Sequence, residues 1–569
     1  MNYKLIDNSL NDINHVEETI FYNRGIQNIQ EYINTTDDNL YDFSLLDNMD
    51  KAVDCIENHI NNQDHIHIVV DSDPDGYTSA AILYSYLKRY DTTLNITYSL
   101  HTKKQHGISD DIEIPNDTSL LIVPDAGSND IEQCKKFGKD IIILDHHLCD
   151  KINEYAIVVN NQMCNYPNKQ LSGVGVVYKF LQALDDRLWN DFSDDYLDLV
   201  SLGLIADVMK ITELENKRLI DKGLHKITNK FFQSLCKKQS YSMENTVTPI
   251  GVQFYIVPLI NGMIRAGDSD EKELLFQAFI EKDQTFKYKK RGEENEIDET
   301  IYDRVTRLCA NAKTRQNKAK DKSLVDVYKS IETHKFNENK IIFGNVTNLL
   351  KPELTGMTAI KVAEHYGKPC LLLRQEAKDK NLYGGSGRNI NNSPIEDLKA
   401  FLDSLGSFNF VQGHENAFGF QIKKENIPKA IELINDKLKE TDMSKVFMVD
   451  FLIDADDLSV SIIRDIDNMK KYYGTGFQEP YIAVQNVLID RNQIFIMGKE
   501  QNSWKAIVND EIAFIKFKCN ENDSVLKWVN KDKDLDKMIE INLVGKASIS
   551  TYKSILTPQI IIDEYQVIN

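Results

Sequence analysis

Residues 65–76 read HIHIVVDSDPDG. The first six form a short run rich in β-branched residues, and the last six carry Asp71, Asp73 and Asp75 at alternate positions, closed by Gly76. The following segment, YTSAAILYSYLKRY (77–90), has apolar residues at helical spacing. Strand, acidic loop, helix is the opening of an α/β unit. Three carboxylates crowded behind a buried strand repel one another, and keeping them ionised is costly unless cations neutralise them. An EF-hand loop would need a glutamate at its twelfth position, where Ile82 stands, and a helix rather than a strand before it. The bland alternative is a polar turn in which an aspartate caps the next helix.

The pattern recurs outward from this stretch. SLLIV (119–123) runs into PDAGSND, DIIIL (140–144) into DHH, and AIVVN (156–160) into a loop before LSGVGVVYKFLQAL (171–184). Short, fully apolar strands alternating with helices predict a parallel sheet covered on both faces, with ligands at the carboxyl ends of its strands. Asp125 and the trio Asp145-His146-His147 fall at such ends. A lone aspartate there is often a turn residue, but imidazole beside carboxylate suits Mn²⁺, Zn²⁺ or Fe²⁺ better than Ca²⁺. Asp207, in LVSLGLIADVM, interrupts an otherwise apolar helix, where an unpaired acid would be expensive. Together, in consecutive units, these groups predict a binuclear metal site.

The rest of the chain changes character. Residues 226–335 read as mostly helical, with a charged stretch at 281–299 taken as a solvated insertion or connector. A second α/β pattern follows from about 340, and alternating strands from 446 suggest a small β-barrel. The expected divisions are 1–225, 226–335, 336–442 and 443–569. With 569 residues, three or four domains are expected. Asp plus Glu number 87 against 67 Lys plus Arg, giving a net charge of −20. That excludes a uniformly basic DNA-coating protein but not an enzyme with a local basic groove or bound cations. No apolar run approaches the roughly 20 residues of a membrane helix, and the start, MNYKLIDNSLNDINHVEE, is too polar for a secretory signal. A cytoplasmic protein without membrane contact is expected. The eight cysteines are scattered without a CxxC pair, which gives a zinc ribbon no support and reads as mostly reduced packing residues.

The ordered set DSDPDG, PDAGSND, DHH and the aspartate of GLIADV resembles the DHH phosphoesterase superfamily, and nearly the whole chain resembles its RecJ-like single-stranded-DNA exonucleases. YNRGIQNIQEYIN (22–34) is similar to their lead-in, LSGVGVVYKFLQAL to their LxGxGVxxK helix, and PLINGMIRAGD (258–268) to their Pro-x-x-Asn-x-x-x-Arg segment. GGSGRN (384–389) and GHENAFG (413–419) resemble motifs of the accessory DHHA1 domain, and YGTGFQEPYIAVQNV (473–487) the entry to their OB-fold. Val70 and Gln412 stand where glycine is usual, and 281–299 is extra length.

The resemblance implies two divalent cations, Mn²⁺ with Mg²⁺ as substitute. Asp73, Asp75, Asp125, His146 and Asp207 are then direct ligands, and Asp71 a ligand or an acceptor behind them. Asp145 orients the histidine pair, and His147 contacts the scissile phosphate. Asn261 and Arg265 line the cleft and recognise the 5′ end. Gly385, Ser386, Gly387, Arg388 and His414 hold substrate, the glycines by letting a loop backbone approach a phosphate. In the barrel, Tyr481, Trp504, Phe514, Lys516 and Phe517 are candidates for stacking or backbone contact, about half of the aromatics being core by strand alternation. The implied activity is 5′→3′ hydrolysis of single-stranded DNA to 5′-mononucleotides by a monomer in repair or recombination, with a helicase or single-strand-binding protein as partner. Two rival readings stand beside it. A phosphodiesterase for short oligonucleotides or cyclic dinucleotides would lack residues 446–569, and an inactive single-strand-binding scaffold would have lost ligands that this sequence retains.

Overall fold

The computed structural model describes the chain except residues 104, 110–111, 150, 291, 294, 391–392, 444, 509–510, 521, 531–536, 552–554 and 569, and the side chains of 319, 320 and 353. It divides into two compact units, one of Arg24–Arg315 with Met469–Glu479, the other of Met1–Asn23, Gln316–Asn468 and Pro480–Asn569.

The first unit is built on five strands, β1 (Ile66–Val70), β2 (Ile96–Leu100), β3 (Leu120–Pro124), β4 (Asp140–Asp145) and β5 (Ile157–Asn160). Every pairing is parallel, and the order in space is β2-β1-β3-β4-β5. β1 and β3 are buried along their whole length, as expected of strands covered on both faces. On one face Val69, Leu121, Val123, Ile141 and Ile143 pack with Cys134 of the helix Ile131–Phe137. The helices Pro74–Tyr90 and Gly173–Leu188 contact the sheet, and both pack with the helix Leu197–Ala206. The strand order reverses between β1 and β3, and the crevice at that switch is where such sheets bind ligands. DSDPDG and Asp125 sit at that point. The charged stretch read as a connector contains an antiparallel hairpin, Thr285–Lys289 with Glu296–Thr300, leading into the helix Ile301–Thr333.

In the second unit a five-stranded sheet runs Phe410–His414, Ala417–Lys423, Leu382–Arg388, Cys370–Gln375, Ile342–Asn345. Its last pair is parallel and the others antiparallel. A seven-stranded sheet follows, ordered Phe451–Asp454, Ile482–Asp490, Met538–Ser550, Thr557–Val567, Ile512–Lys516, Ser503–Val508, Ile494–Met497. Sequence reading missed Ser503–Val508, and it ran Val446–Val449 into the next strand. That segment instead pairs in parallel with Asn2–Leu5, more than 400 residues away. Trp504 and Phe514 are buried in the core, whereas Phe517 is exposed. Lys516 Nζ donates to the backbone carbonyls of Ile562 and Asp563. Of the barrel candidates, Trp504 and Phe514 are therefore packing residues, as alternation along a strand requires of some.

Candidate metal centre

Asp71 follows β1 directly and is fully buried. Its Oδ1 accepts from Gly107 N–H at 2.9 Å and its Oδ2 lies 2.6 Å from His106 Nδ1. Asp73 is the N-cap of the helix Pro74–Tyr90, accepting from Gly76 N–H at 3.0 Å, with Pro74 in the first turn. The cap reading of this loop is thus true of Asp73, but it occupies only one carboxylate oxygen of three acids. Asp75, in the first turn of that helix, accepts through Oδ1 from Ser172 Oγ at 3.1 Å and Val174 N–H at 3.3 Å. Its Oδ2 is buried and receives no hydrogen bond from the described residues, and the same holds for Asp125 Oδ1. Two orphaned carboxylate oxygens in one buried cluster are not tolerated without a compensating cation or proton.

Three glycines make the crowding possible. A Cβ at Gly173 would stand 2.2 Å from Asp125 Oδ1, at Gly203 2.4 Å from Asp75 Oδ1, and at Gly76 2.5 Å from Asp71 Cβ. Asp125 itself holds a left-handed backbone, φ 68°, with its N–H donating to Leu144 O at 2.7 Å.

From the end of β4, Asp145 folds back on its own loop. Its Oδ1 accepts from the N–H groups of His146 (2.7 Å) and His147 (3.1 Å) and from His147 Nδ1 (2.8 Å), and its Oδ2 from Ser128 N–H (3.0 Å). Asn160, at the end of β5, donates to Ser128 Oγ and His147 O, both at 3.0 Å. Held this way, His146 points Nε2 at two acids, 3.3 Å from Asp125 Oδ1 and 3.5 Å from Asp207 Oδ2. Asp207 does not interrupt its helix, as the sequence suggested. It is the C-cap of Leu197–Ala206. A carboxylate at the negative end of a helix dipole gains nothing locally, so its placement is explained by what it faces. Val208 follows at φ 61°, a strained conformation for a β-branched residue.

The electrostatics agree. Burial, then the charge of Asp73, pushes Asp75 up to about 7. Burial and the charges of Asp75 and Asp73 raise Asp125 and Asp207 well above the usual carboxylate range, and burial with Asp71 raises Asp73. Asp145 is the exception. Burial opposes its charge, yet the His147 hydrogen bond and both histidines hold it well below that range. For His147 burial works downward, but Asp145, Asp207 and Asp73 lift it to about 9. Donor atoms of three groups, Asp71-Asp73-His106, Asp75-His146-Asp207 and Asp125-His146-His147, lie within 4.8 Å of one another inside each group. Oxygen and imidazole donors in these sets, two of which share His146, fit Mn²⁺-like ions.

Arg265 and Asn261 lie four residues apart on the helix Val257–Ala266, preceded by a π-helical turn at Val252–Ile256. Pro258, lacking an N–H, accounts for the interrupted ladder. Arg265 Nε and Asn261 Oδ1 are buried without a hydrogen bond. Burial lowers the Arg265 pKa while the charge of Asp73 raises it. The structure thus gathers Asp71, Asp73, Asp75, Asp125, Asp145, His146, His147 and Asp207, with Arg265 in their field. Gly385, Ser386, Gly387, Arg388 and His414 belong to the other unit. There the glycine motif is an interior strand rather than a loop, Leu382–Arg388, paired on both sides. Its glycines serve packing, since a Cβ at Gly385 would stand 2.7 Å from the Phe420 ring and at Gly387 2.2 Å from that of Phe418. Sequence reading missed His106 and His101, the latter 3.9 Å from Asp71 Oδ1. Their only signal is HTKKQH (101–106) directly after β2, again at a strand's carboxyl end.

Comparison with known proteins agrees with this arrangement. Residues 65–204 match the DHH family, N-terminal domain, and residues 449–564 the RecJ OB domain. The chain is 38% identical, over 100% of its length and 98% of the relative's, to a Bacillus subtilis (strain 168) protein named as an SPbeta prophage-derived single-strand DNA-specific exonuclease, YorK. It is 24% identical to the Bacillus subtilis single-stranded-DNA-specific exonuclease RecJ, over 94% of this chain and 65% of that one. The crystal structure of Thermus thermophilus RecJ in complex with Mn²⁺ superposes with a TM-score of 0.71 at 17% identity, covering 100% of this chain and 79% of that one. The chain belongs to the DHH family, in its RecJ-like group.

Proposed function

We propose that the chain is a metal-dependent exonuclease that hydrolyses single-stranded DNA from the 5′ end, releasing 5′-mononucleotides, in DNA repair or recombination. The observation that carries this reading is the buried acid–imidazole cluster with two unsatisfied carboxylate oxygens, in a chain whose relatives are named for single-stranded-DNA exonuclease activity. Asp73, Asp75, Asp125, His146 and Asp207 would hold two divalent cations, Mn²⁺ or Mg²⁺, with Asp71 tying the first loop to His106 and Gly107. Such a pair, when bound, supplies activation of a water and charge stabilisation for a phosphodiester in-line displacement.

The chain's own groups supply the rest. Asp145 fixes the His147 ring through Nδ1, which leaves Nε2 to donate to a non-bridging phosphate oxygen. Against burial, the Asp145 hydrogen bond and charge raise the His147 pKa, which favours the doubly protonated ring that such a donation needs. Arg265, its Nε unsatisfied, offers a planar donor for a phosphate beside the cluster, and Asn261 one turn away adds an amide. Arg388, Ser386, Gly385, Gly387 and His414 are assigned to substrate by family resemblance, and the C-terminal sheet to the strand beyond the site. The strand would be supplied by a helicase or presented by a single-strand-binding protein, the chain acting as a cytoplasmic monomer.

The test is digestion of end-labelled oligonucleotides with Mn²⁺. Single-stranded DNA should be degraded from its 5′ end, duplex DNA resisted, and His146→Ala reduced to background. Digestion from 3′ ends alone would overturn the direction, and substantial activity in His146→Ala would overturn the ligand assignment.

A further inference from the structure

At the opposite end of β4 from Asp145, three donors of different chemistry meet. Cys55 and His59 lie four residues apart on the helix Met49–Asn61, hence on one face of it. Asp140 opens β4. The Cys55, His59 and Asp140 donor atoms all lie within 4.8 Å of one another. His59 Nε2 is 3.1 Å from Asp140 Oδ2, while its Nδ1 is 2.8 Å from Asp64 Oδ2. The His59 side chain is only 12% exposed, so the ring is fixed rather than free to swing.

We propose that Cys55, His59 and Asp140 form a second, separate site for a single borderline transition metal of the Zn²⁺ class, with solvent at the fourth position. Two ligands at about 2.0–2.1 Å in a tetrahedron stand about 3.3 Å apart, and the His59–Asp140 pair is already within about 0.2 Å of that edge. Asp64 takes the place of the carboxylate that commonly orients a metal-bound imidazole through its other nitrogen. A thiol beside an imidazole selects Zn²⁺ or Co²⁺ over Mg²⁺ or Ca²⁺. Five residue steps along the strand, roughly 16 Å at the usual rise, separate Asp140 from Asp145, so an ion here is not part of the acidic cluster. The bound ion would clamp the helix Met49–Asn61 to the sheet.

Burial, with the Asp140 charge, pushes the Cys55 thiol up to about 11. At neutral pH it therefore carries its proton until a metal arrives, at which point the sulfur–metal bond forms and the proton passes to solvent. No electron transfer is involved. Co²⁺ is the probe of choice, because a thiolate ligand adds a near-ultraviolet charge-transfer absorbance that carboxylate and imidazole donors do not. The full chain, stripped with chelator and saturated with Mn²⁺ at the acidic cluster, is titrated with Co²⁺. One equivalent should produce the thiolate band. Cys55→Ser and His59→Asn should abolish it, Asp64→Asn should weaken Co²⁺ affinity by about 10–100-fold, and Cys149→Ser, the cysteine nearest the histidine pair in sequence, should leave it intact. Retained Mn²⁺-dependent nuclease activity in Cys55→Ser would show that the variant folds. In the wild-type chain Zn²⁺ should also protect Cys55 from alkylation, mapped by mass spectrometry. No thiolate band in the wild type, a band that persists in Cys55→Ser, or unprotected alkylation would each overturn the site and mark the cluster as an ion-free salt link.

Discussion

Asp75 sits in the first turn of its helix with Ser172 and Val174 on one oxygen and, among the described residues, no hydrogen bond to the other. That asymmetry has a thermodynamic consequence. An aspartate in the unfolded chain titrates near 3.8, and in the fold Asp75 is pushed up to about 7, first by burial and then by Asp73. Between those values the ion-free folded state binds more protons than the unfolded state, so the contribution of this group to stability falls as pH rises. The destabilisation is absent below 3.8 and fully present above about 7. In chelator, Asp75→Asn should therefore gain thermal stability relative to the parent as pH rises from about 4 to about 7, and Mn²⁺ should raise the parent more than the variant. A variant that loses ground over the same window would contradict the crowding argument. The strand-end acids and DHH were legible in sequence because each follows an unbroken apolar run. His106 was not, because its pairing with Asp71 depends on a loop trajectory that no periodicity encodes. Asp207 was legible as an anomaly but misplaced by one position, since only the turn at Val208 reveals where the helix stops.

Helices and strands show the same division. The helix Gly173–Leu188 was readable from its spacing, and its glycine Gly173 proves to make room for Asp125. Spacing alone does not reveal the role of its lysine. Lys179 is fully buried, 2.9 Å from Glu215 Oε1 and 2.6 Å from Tyr41 O. Removing one partner of a buried pair leaves an uncompensated charge and costs about 3–5 kcal/mol. Lys179→Met should lower stability by that amount, measured by denaturant unfolding, and Lys179→Met with Glu215→Gln, which removes the second charge but keeps an acceptor for Tyr166, Asn168 and the Tyr41 N–H, should recover part of it. Equal losses in the single and double variants would show that the ion pair is not what Lys179 contributes. The motif GGSGR misled for the opposite reason. Glycines read as a loop when considered alone, yet here an interior strand needs them because the rings of Phe418 and Phe420 occupy the space a Cβ would fill. Cross-sheet neighbours of that kind lie far apart in sequence.

At the scale of the molecule, each of the two compact units is assembled from separate stretches of the chain. Met469–Glu479 belongs with Arg24–Arg315, where Phe477 is fully buried and stacks on Tyr32 at 6.0 Å and Ile211 N–H donates to Thr475 O at 2.8 Å. A chain ending at residue 445 therefore loses a piece of the unit that carries the acidic cluster. Its first thermal transition should fall below that of the full chain, and Phe477→Ala in the full chain, at about 3–5 kcal/mol for a buried phenylalanine, should shift the same transition. An unchanged transition in both would mean that the segment is dispensable. None of the described helices is long and apolar enough to cross a membrane. Under the proposed function, a pair of divalent cations holds together the cluster at the ends of β1, β3 and β4. Calorimetric titration of the chelator-stripped chain with Mn²⁺, with anomalous diffraction from the same preparation, tests it directly. Two ions per chain are expected among Asp71, Asp73, Asp75, Asp125, His146 and Asp207, with loss of at least one in Asp75→Asn. No Mn²⁺ taken up, or Mn²⁺ bound only elsewhere, would contradict it.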